Sequence, residues 1–510
     1  MHILYYNWVD YLDPEKRGGG VTVYQRNLIE DLKARPDIRT DFLSSGITYD
    51  LTSQKPRWQV IGEEGPGECR RFEIVNSGAL APSHHSFGAS TQLHHEETTR
   101  TFRDFLHQNG PYDIVHFNNL EGIPAEILKL KEEFQDTKFV LSLHNYYPFC
   151  PQVNLWHREA KACENFDEGR KCAYCLLGQA NPKAVRYANA VSAKLKRHGI
   201  QPGTPAFDGF FFPLMRIGYR TSKLLSRISG VKRPQGSDNP AEPREQSPTD
   251  NPRVAAVLES IEPPSSQGFD LRRREMVDLI NAYCDSVIGV SRRVTRIASN
   301  FGIKDTLLKT MYIGTQHADR FLNTDPNFEL PRADGTLSLA FLGYARRDKG
   351  FYFLLESLEE LPKELAARIH LIIAAANTDK PTLARVSGLA ERFASIRFAD
   401  GYSHDNLDEI LRDADVGVVP VLWEDSLPQV AIEMHARRLP LLTSNLGGAR
   451  ELANSDKLVF QSGSVSSFHD TVEALLGGDI DLQTYWQEAM PPKQVGEHVD
   501  ELLNLYGEVS

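Results

Sequence analysis

Two carboxylates, Asp425 and Glu433, separated by seven residues, bracket the stretch of this 510-residue chain best suited to specific chemistry. They lie in VVPVLWEDSLPQVAIEMHARRLPLLTSNLGGARE, residues 418–451. The apolar run 416–422 predicts a buried strand. Asp425 then opens a loop through Ser426, Leu427, Pro428 and Gln429, and a helix follows with Glu433 near its start. A carboxylate accepts paired hydrogen bonds from vicinal hydroxyls. The N–H groups at a helix start suit a phosphate. One acid before the helix and one inside it can therefore hold both hydroxyl-rich ends of a ligand that carries a diphosphate between them. The same pattern also describes a plain strand–helix unit with a capping acid.

Three further groups could do chemistry. Gly18, Gly19 and Gly20 precede a helix with apolar positions at Val23, Leu28, Ile29 and Leu32. Glycines let a backbone approach a ligand closely, and the helix start adds N–H groups and a positive dipole end; a simple strand-to-helix turn has the same residues. His144 falls at the end of an apolar run, 139–144, where it is either a site residue or a satisfied structural histidine. Cys150, Cys163, Cys172 and Cys175 lie close together, the last two as C-x2-C. Four thiolates can bind zinc tetrahedrally. A structural zinc is preferred here over disulfides, and ordinary reduced thiols are the third reading.

The elements that position these residues alternate. Strands are predicted at 3–6, 41–44, 113–117, 139–144 and 286–291, with helical patterns such as 124–134 and 271–281 between some of them. From 336 onward six apolar runs follow: LSLAFLG, IHLIIAAAN, IRFADG, VGVVPVLW, LPLLTSN and KLVFQSG. Both patterns predict parallel, doubly wound α/β sheets, whose ligands bind beyond the carboxyl ends of the strands. The segment 485–506 reads as a closing helix.

The order of Asp425, the loop, Glu433 and Gly447-Gly448 resembles the donor site of retaining glycosyltransferases of family 4, whose signature is two glutamates separated by seven residues. The resemblance implies a GT-B fold, two Rossmann-like doubly wound domains facing across a cleft. It implies a first acid, here Asp425, reaching the sugar and a second, Glu433, reaching the ribose. Asp is one methylene shorter than the family's Glu, and Glu424 stands one residue too early. Gly19 and Gly20 match the family's glycine loop at the donor diphosphate, and HNYYPFCPQ, from His144, resembles its histidine turn. GYARRDKG places Lys349 on the diphosphate lysine, while Tyr344 takes the arginine position and Arg346 or Arg347 is its replacement. Ser426, Leu427 and Gln429 fall in the donor loop, and Asn377 and Gly401-Tyr402-Ser403 fall where the nucleotide approaches. Gly314-Thr315-Gln316 stands where the family has Asn-Gly-Ile-Asp.

The resemblance further implies an acceptor-side domain over residues 1–325, a nucleotide-sugar domain over 326–484, and a tail over 485–510 that crosses back to the first domain. Residues 178–268 fall outside it and form an insertion, in which 234–267 reads as mobile. The activity implied is retaining transfer from a nucleotide sugar, a UDP-sugar by default, to a saccharide or lipid-linked acceptor in surface polysaccharide or glycoconjugate synthesis, with no catalytic metal or other cofactor. A sugar-nucleotide epimerase or phosphorylase and a non-catalytic nucleotide-sugar or membrane-binding module are the rival readings.

Composition sets the outer limits. Net charge is −11, so no global basic field favours nucleic acid, and 41% hydrophobic residues suffice for ordinary cores. The start lacks a basic, then long apolar, leader pattern, and no run of about 18 apolar residues occurs. A cytoplasmic enzyme is expected, peripheral to a membrane if residues 194–233 bind one. That segment carries nine Lys/Arg against Asp208 alone, with Arg216, Arg220, Lys223 and Arg227 on one helical face. It reads either as a membrane-surface helix or as an amphipathic helix packed on its own domain.

Overall fold

The computed structural model of the chain describes residues 1–62, 69–176, 181–207, 209, 264–452 and 455–508. The basic face at Arg216, Arg220, Lys223 and Arg227 lies outside these residues, as does 234–263 of the expected mobile stretch. Residues 264–267 belong instead to a helix, Pro264–Tyr283. Of the basic segment, Lys196 pairs with Glu15 and Arg197 approaches Asp50 at 3.4 Å, both within the first unit defined below. Among the described residues no helix is long and apolar enough to cross a membrane.

The chain divides into two compact units: Met1–Ser142, Tyr146–Val153 and Asn165–Val287; and Leu143–Asn145, Asn154–Glu164 and Ile288–Ser510. Among the described residues the strands in chain order are β1 His2–Asn7, β2 Arg39–Ser45, β3 Arg57–Val60, β4 Arg70–Val75, β5 Ile114–Phe117, β6 Lys138–Leu143, β7 Trp156–His157, β8 Lys161–Ala162, β9 Ser286–Gly289 and β10 Leu308–Thr310, followed by β11 Leu337–Tyr344, β12 Ile369–Ala376, β13 Ser395–Ala399, β14 Val416–Val419, β15 Leu441–Ser444 and β16 Val459–Phe460.

One sheet has the order β10-β9-β6-β5-β1-β2-β4-β3. β1 pairs in parallel with both β2 and β5, so the strand order reverses at β1. Every residue from Ile3 to Asn7 is buried, as in a parallel strand covered on both faces. Residues 8–18 leave the carboxyl end of β1 and end at Gly18, the N-cap of the helix Gly19–Lys33.

The other sheet has the order β13-β12-β11-β14-β15-β16, every pairing parallel. This is the 3-2-1-4-5-6 order of a doubly wound dinucleotide-type sheet, and its order reverses between β11 and β14. Alternate residues on the strands, Leu337, Leu339, Phe341, Ile369, Leu371 and Ile373, share one buried core. Phe351, Leu355 and Leu358 join it from the helix Phe351–Glu360, and Phe468, Val472 and Leu475 from the helix Val465–Gly477. Periods of two on strands and three to four on helices are what this packing requires.

Three expected elements differ in detail. The run 416–422 is strand only to Val419, because Pro420 cannot donate to a ladder. Residues 125–132 form 3-10 turns rather than an α-helix. The closing helix is two helices, Leu482–Glu488 and Val495–Glu508, interrupted at Pro491-Pro492.

The turn after β11 is held against the turn after β14. Gly350 has φ +71°, and a Cβ there would lie 1.6 Å from the carbonyl oxygen of Pro420. Gly350→Ala is therefore expected to cost more than the roughly 1–3 kcal/mol of left-handed strain alone. Scanning calorimetry should show a Tm several degrees lower; an unchanged Tm would mean that this close approach does not set the turn.

Candidate active site

A doubly wound sheet offers its ligand crevice outside the carboxyl ends of the strands, where the order reverses. In the second unit that place is flanked by the loops leaving β11 and β14. These loops carry Lys349 and Asp425. Besides the Gly350–Pro420 approach, Leu422 N–H donates to the Asp348 carbonyl at 3.2 Å, which fixes the two loops side by side. Lys349 Nζ then donates to Asp425 Oδ2 at 2.6 Å and stands 5.4 Å from the centre of the Trp423 ring. The Trp423 indole N–H is buried and has no hydrogen-bond partner among the described residues.

Adjacent acids in this loop are sorted by their partners. Glu424 receives Arg293 through both Nε, at 3.0 Å, and Nη2, and also accepts Gly447 N–H at 3.0 Å. Its carboxylate is spent inside the fold. Asp425 makes its side-chain contact with Lys349, and its backbone carbonyl accepts Gly448 N–H at 2.8 Å. The Gly447-Gly448 turn packs directly on this backbone. A Cβ on Gly447, at φ +74°, would meet the Asp425 carbonyl oxygen at 2.3 Å, and one on Gly448 would meet that of Ser426 at 2.2 Å. The Ser426 carbonyl accepts Ser291 Oγ at 2.8 Å, while its own hydroxyl donates to the His144 carbonyl at 2.7 Å. Ser426 thus ties the loop to the short segment Leu143–Asn145 of the same unit. Leu427 is buried. Gln429 opens the helix Gln429–Ala436, whose N-cap, Pro428, makes no side-chain capping bond.

Glu433 lies in that helix with its side chain buried. Tyr402 OH donates to its Oε2 at 3.0 Å, and His404 Nδ1 stands 3.8 Å from Oε1. Burial raises the Glu433 carboxyl above its ordinary value, with His404, Tyr402 and Arg437 opposing the shift. His404 Nδ1 in turn meets His317 Nε2 at 2.7 Å. Desolvation, helped by Arg437, pushes His317 down to about 4. Desolvation likewise holds His144 down to about 4, so its imidazole is neutral near pH 7.

The second unit therefore gathers Asp425, Ser426, Leu427, Gln429, Lys349 and Glu433 on the two loops and the following helix, with the His144 backbone attached. Arg346 is exposed and paired with Asp348 at 2.9 and 3.0 Å. Arg347 donates to the Glu159 carbonyl at 3.2 Å. Gly19, at φ +55°, and Gly20 belong to the first unit, where they form the first turn of their helix. A Cβ at Gly19 would meet nothing within 4 Å.

Of the four cysteines singled out in the sequence, Cys150 and Cys172 are buried. Among the described residues the one group of three or more His, Cys, Asp or Glu ligand atoms close enough for an ion is His317, His404 and Glu433. Cys175 Sγ donates to Gln152 Oε1 at 3.0 Å, and none of the four is in a disulfide. Sequence reasoning missed Trp423, Arg293, His404 and His317. Only the departure from Asn-Gly-Ile-Asp just before His317 marked that region as unusual.

Residues 336–477 match the family model described as glycosyl transferases group 1. Among curated proteins none matches the sequence. Solved structures resemble the whole chain at low identity. Sucrose-phosphate synthase from Thermosynechococcus elongatus is 13% identical, with 100% of this chain and 99% of that one covered and a TM-score of 0.53. Anabaena HepE in complex with UDP is 12% identical, with both chains covered 100% and a TM-score of 0.52. A glycosyltransferase from Rickettsia africae is 13% identical, with 100% and 98% covered and a TM-score of 0.50. The fold is accordingly GT-B, with two Rossmann-like, doubly wound domains.

Because the Glu433 carboxyl is raised in the folded state, its contribution to stability is present at low pH and is lost as pH rises through the folded-state value. Glu433→Gln removes that burden and keeps an acceptor for Tyr402. At pH 7 this variant should be at least as stable to denaturant as the parent, with the difference closing as pH falls below ~4. A large loss of stability at pH 7 would identify Glu433 as a structural ion-pair residue instead.

Proposed function

We propose that the chain, whose residues 336–477 match the model described as glycosyl transferases group 1, is a glycosyltransferase that moves a sugar from a nucleotide-sugar donor to a saccharide or lipid-linked acceptor with retention of configuration. The observation that carries this reading is the position of Lys349 and Asp425. They stand on the two loops flanking the point where the strand order reverses, and the helix bearing Glu433 follows directly. Lys349 meets the diphosphate, whose charge grows as the bond to the sugar breaks. Asp425 holds sugar hydroxyls. Glu433 holds the ribose diol, and its burial favours a ligand that brings hydroxyl donors to it.

The leaving group's charge is met by protein groups rather than by a metal ion. Lys349, the start of the helix Gln429–Ala436, and Arg346 or Arg347 supply cations and N–H donors. The buried Trp423 N–H is a further donor on the same loop. His144, neutral near pH 7, orients rather than carries charge. Transfer is by front-face attack within one ternary complex, with residues 326–484 binding the donor and residues 1–325 the acceptor. UDP is the default nucleotide, supported by the UDP in the HepE complex. An acceptor in surface polysaccharide or glycolipid synthesis, met at a membrane surface by the basic segment 194–233, completes the reading.

The test is donor turnover with an acceptor panel across UDP- and GDP-sugars. Asp425→Ala, Glu433→Ala and Lys349→Ala should each lower kcat/KM by on the order of 10²-fold or more, the scale of removing one group aimed at developing charge. Sugar-nucleotide consumption without any acceptor would indicate epimerisation or hydrolysis. Turnover unchanged in Asp425→Ala and Glu433→Ala together would overturn the site.

A further inference from the structure

Outside the donor-site residues, the second unit holds a set of side chains that the proposed transfer does not use. His317 follows the Gly314-Thr315-Gln316 turn, and His404 follows the Tyr402-Ser403 turn after β13. Together with Glu433 they place three ligand atoms within 4.8 Å of one another. His317 Nε2 and His404 Nδ1 are 2.7 Å apart, and His404 Nδ1 and Glu433 Oε1 are 3.8 Å apart. Around a tetrahedral ion with bonds of about 2.0–2.1 Å, neighbouring ligand atoms stand roughly 3.3 Å apart. The first pair must open and the second must close by about half an ångström. His404 is half exposed, so the set can be reached from solvent, while Glu433 is buried.

We propose that His317, His404 and Glu433 form a binding site for a divalent transition-metal ion of the zinc or cobalt class, and that an ion there excludes the donor nucleotide. Two imidazoles and one carboxylate suit such an ion, whereas magnesium and calcium favour oxygen-only sets. The exclusion rests on the proposed role of Glu433, because one carboxylate cannot hold both an ion and a ribose diol. The surroundings also set a limit on affinity. Arg437 Nη2 lies 3.4 Å from His317 Nδ1, the nitrogen that carries the proton when Nε2 binds metal. A guanidinium only donates, so it opposes this state. Asp408 accepts Arg437 Nε at 2.7 Å and keeps it in place. The site is thus built to take an ion loosely and reversibly.

The experiment is cobalt(II) titration of chelator-stripped full-length protein under reducing conditions, read by visible absorption and by bound metal after equilibrium dialysis. One equivalent should bind with the d–d spectrum of nitrogen and oxygen ligands. His317→Asn and His404→Asn should each weaken it at least tenfold, with folding checked by circular dichroism. Saturating UDP should weaken cobalt binding in the parent. No stoichiometric binding, thiolate-to-cobalt charge transfer as the main signal, or parent-like affinity in both variants would overturn the site. Cobalt affinity unmoved by UDP, where UDP binding is verified directly, would overturn the exclusion. Failure of UDP to bind at all would instead count against the proposed function, while the cobalt titration still decides the metal site.

Discussion

The ion pair between Lys349 and Asp425 is the contact through which the second unit expresses its sheet topology as chemistry. The two residues come from opposite sides of the reversal in strand order, 76 positions apart in sequence. What brings them to 2.6 Å is backbone geometry: a left-handed glycine at 350 against Pro420, and the Leu422 N–H on the Asp348 carbonyl. A lysine and an aspartate at such a site neutralise each other while no ligand is bound. A diphosphate competes for the cation, and sugar hydroxyls compete for the acid. The pair is thus a pre-arranged set of one donor group and one acceptor group, with its loops already fixed.

The same loop shows how two neighbouring acids take different tasks. Glu424 is consumed by Arg293 and by the Gly447 N–H, which anchors the loop to the following turn and to the helix Arg292–Asn300. Glu451 reinforces that attachment, accepting the Arg292 and Arg293 N–H groups at 3.1 and 2.6 Å. Asp425 is left for the cation. Glu433 differs again. It is buried, its carboxyl is raised by desolvation, and its neighbours are a phenol and an imidazole rather than a fully committed cation. Such a carboxylate gains most from a ligand that supplies hydrogen-bond donors.

Much of this was legible in sequence. The six apolar runs after residue 336 correspond to the six strands β11 to β16; β11, β12, β14 and β15 are largely buried, and parallel strands covered on both faces are continuous hydrophobic runs. The interval from Asp425 to Glu433 was visible as well. That interval pointed to Asp425 rather than Glu424, but the partner that occupies Glu424, Arg293, is 131 residues away and left no local signal. The pairing of His317 with His404 spans 87 residues and left no local signal. β3 was missed for a different reason: it is an edge strand with no buried residue, so its hydrophobic pattern is weak.

The most direct measurement is a crystal structure of the chain with bound UDP. The diphosphate is expected within hydrogen-bond reach of Lys349 Nζ, with the lysine shared between phosphate and Asp425, and the ribose diol on the Glu433 carboxylate. UDP bound elsewhere, or bound with Lys349 still committed to Asp425 alone and Glu433 untouched, would contradict the assigned donor site.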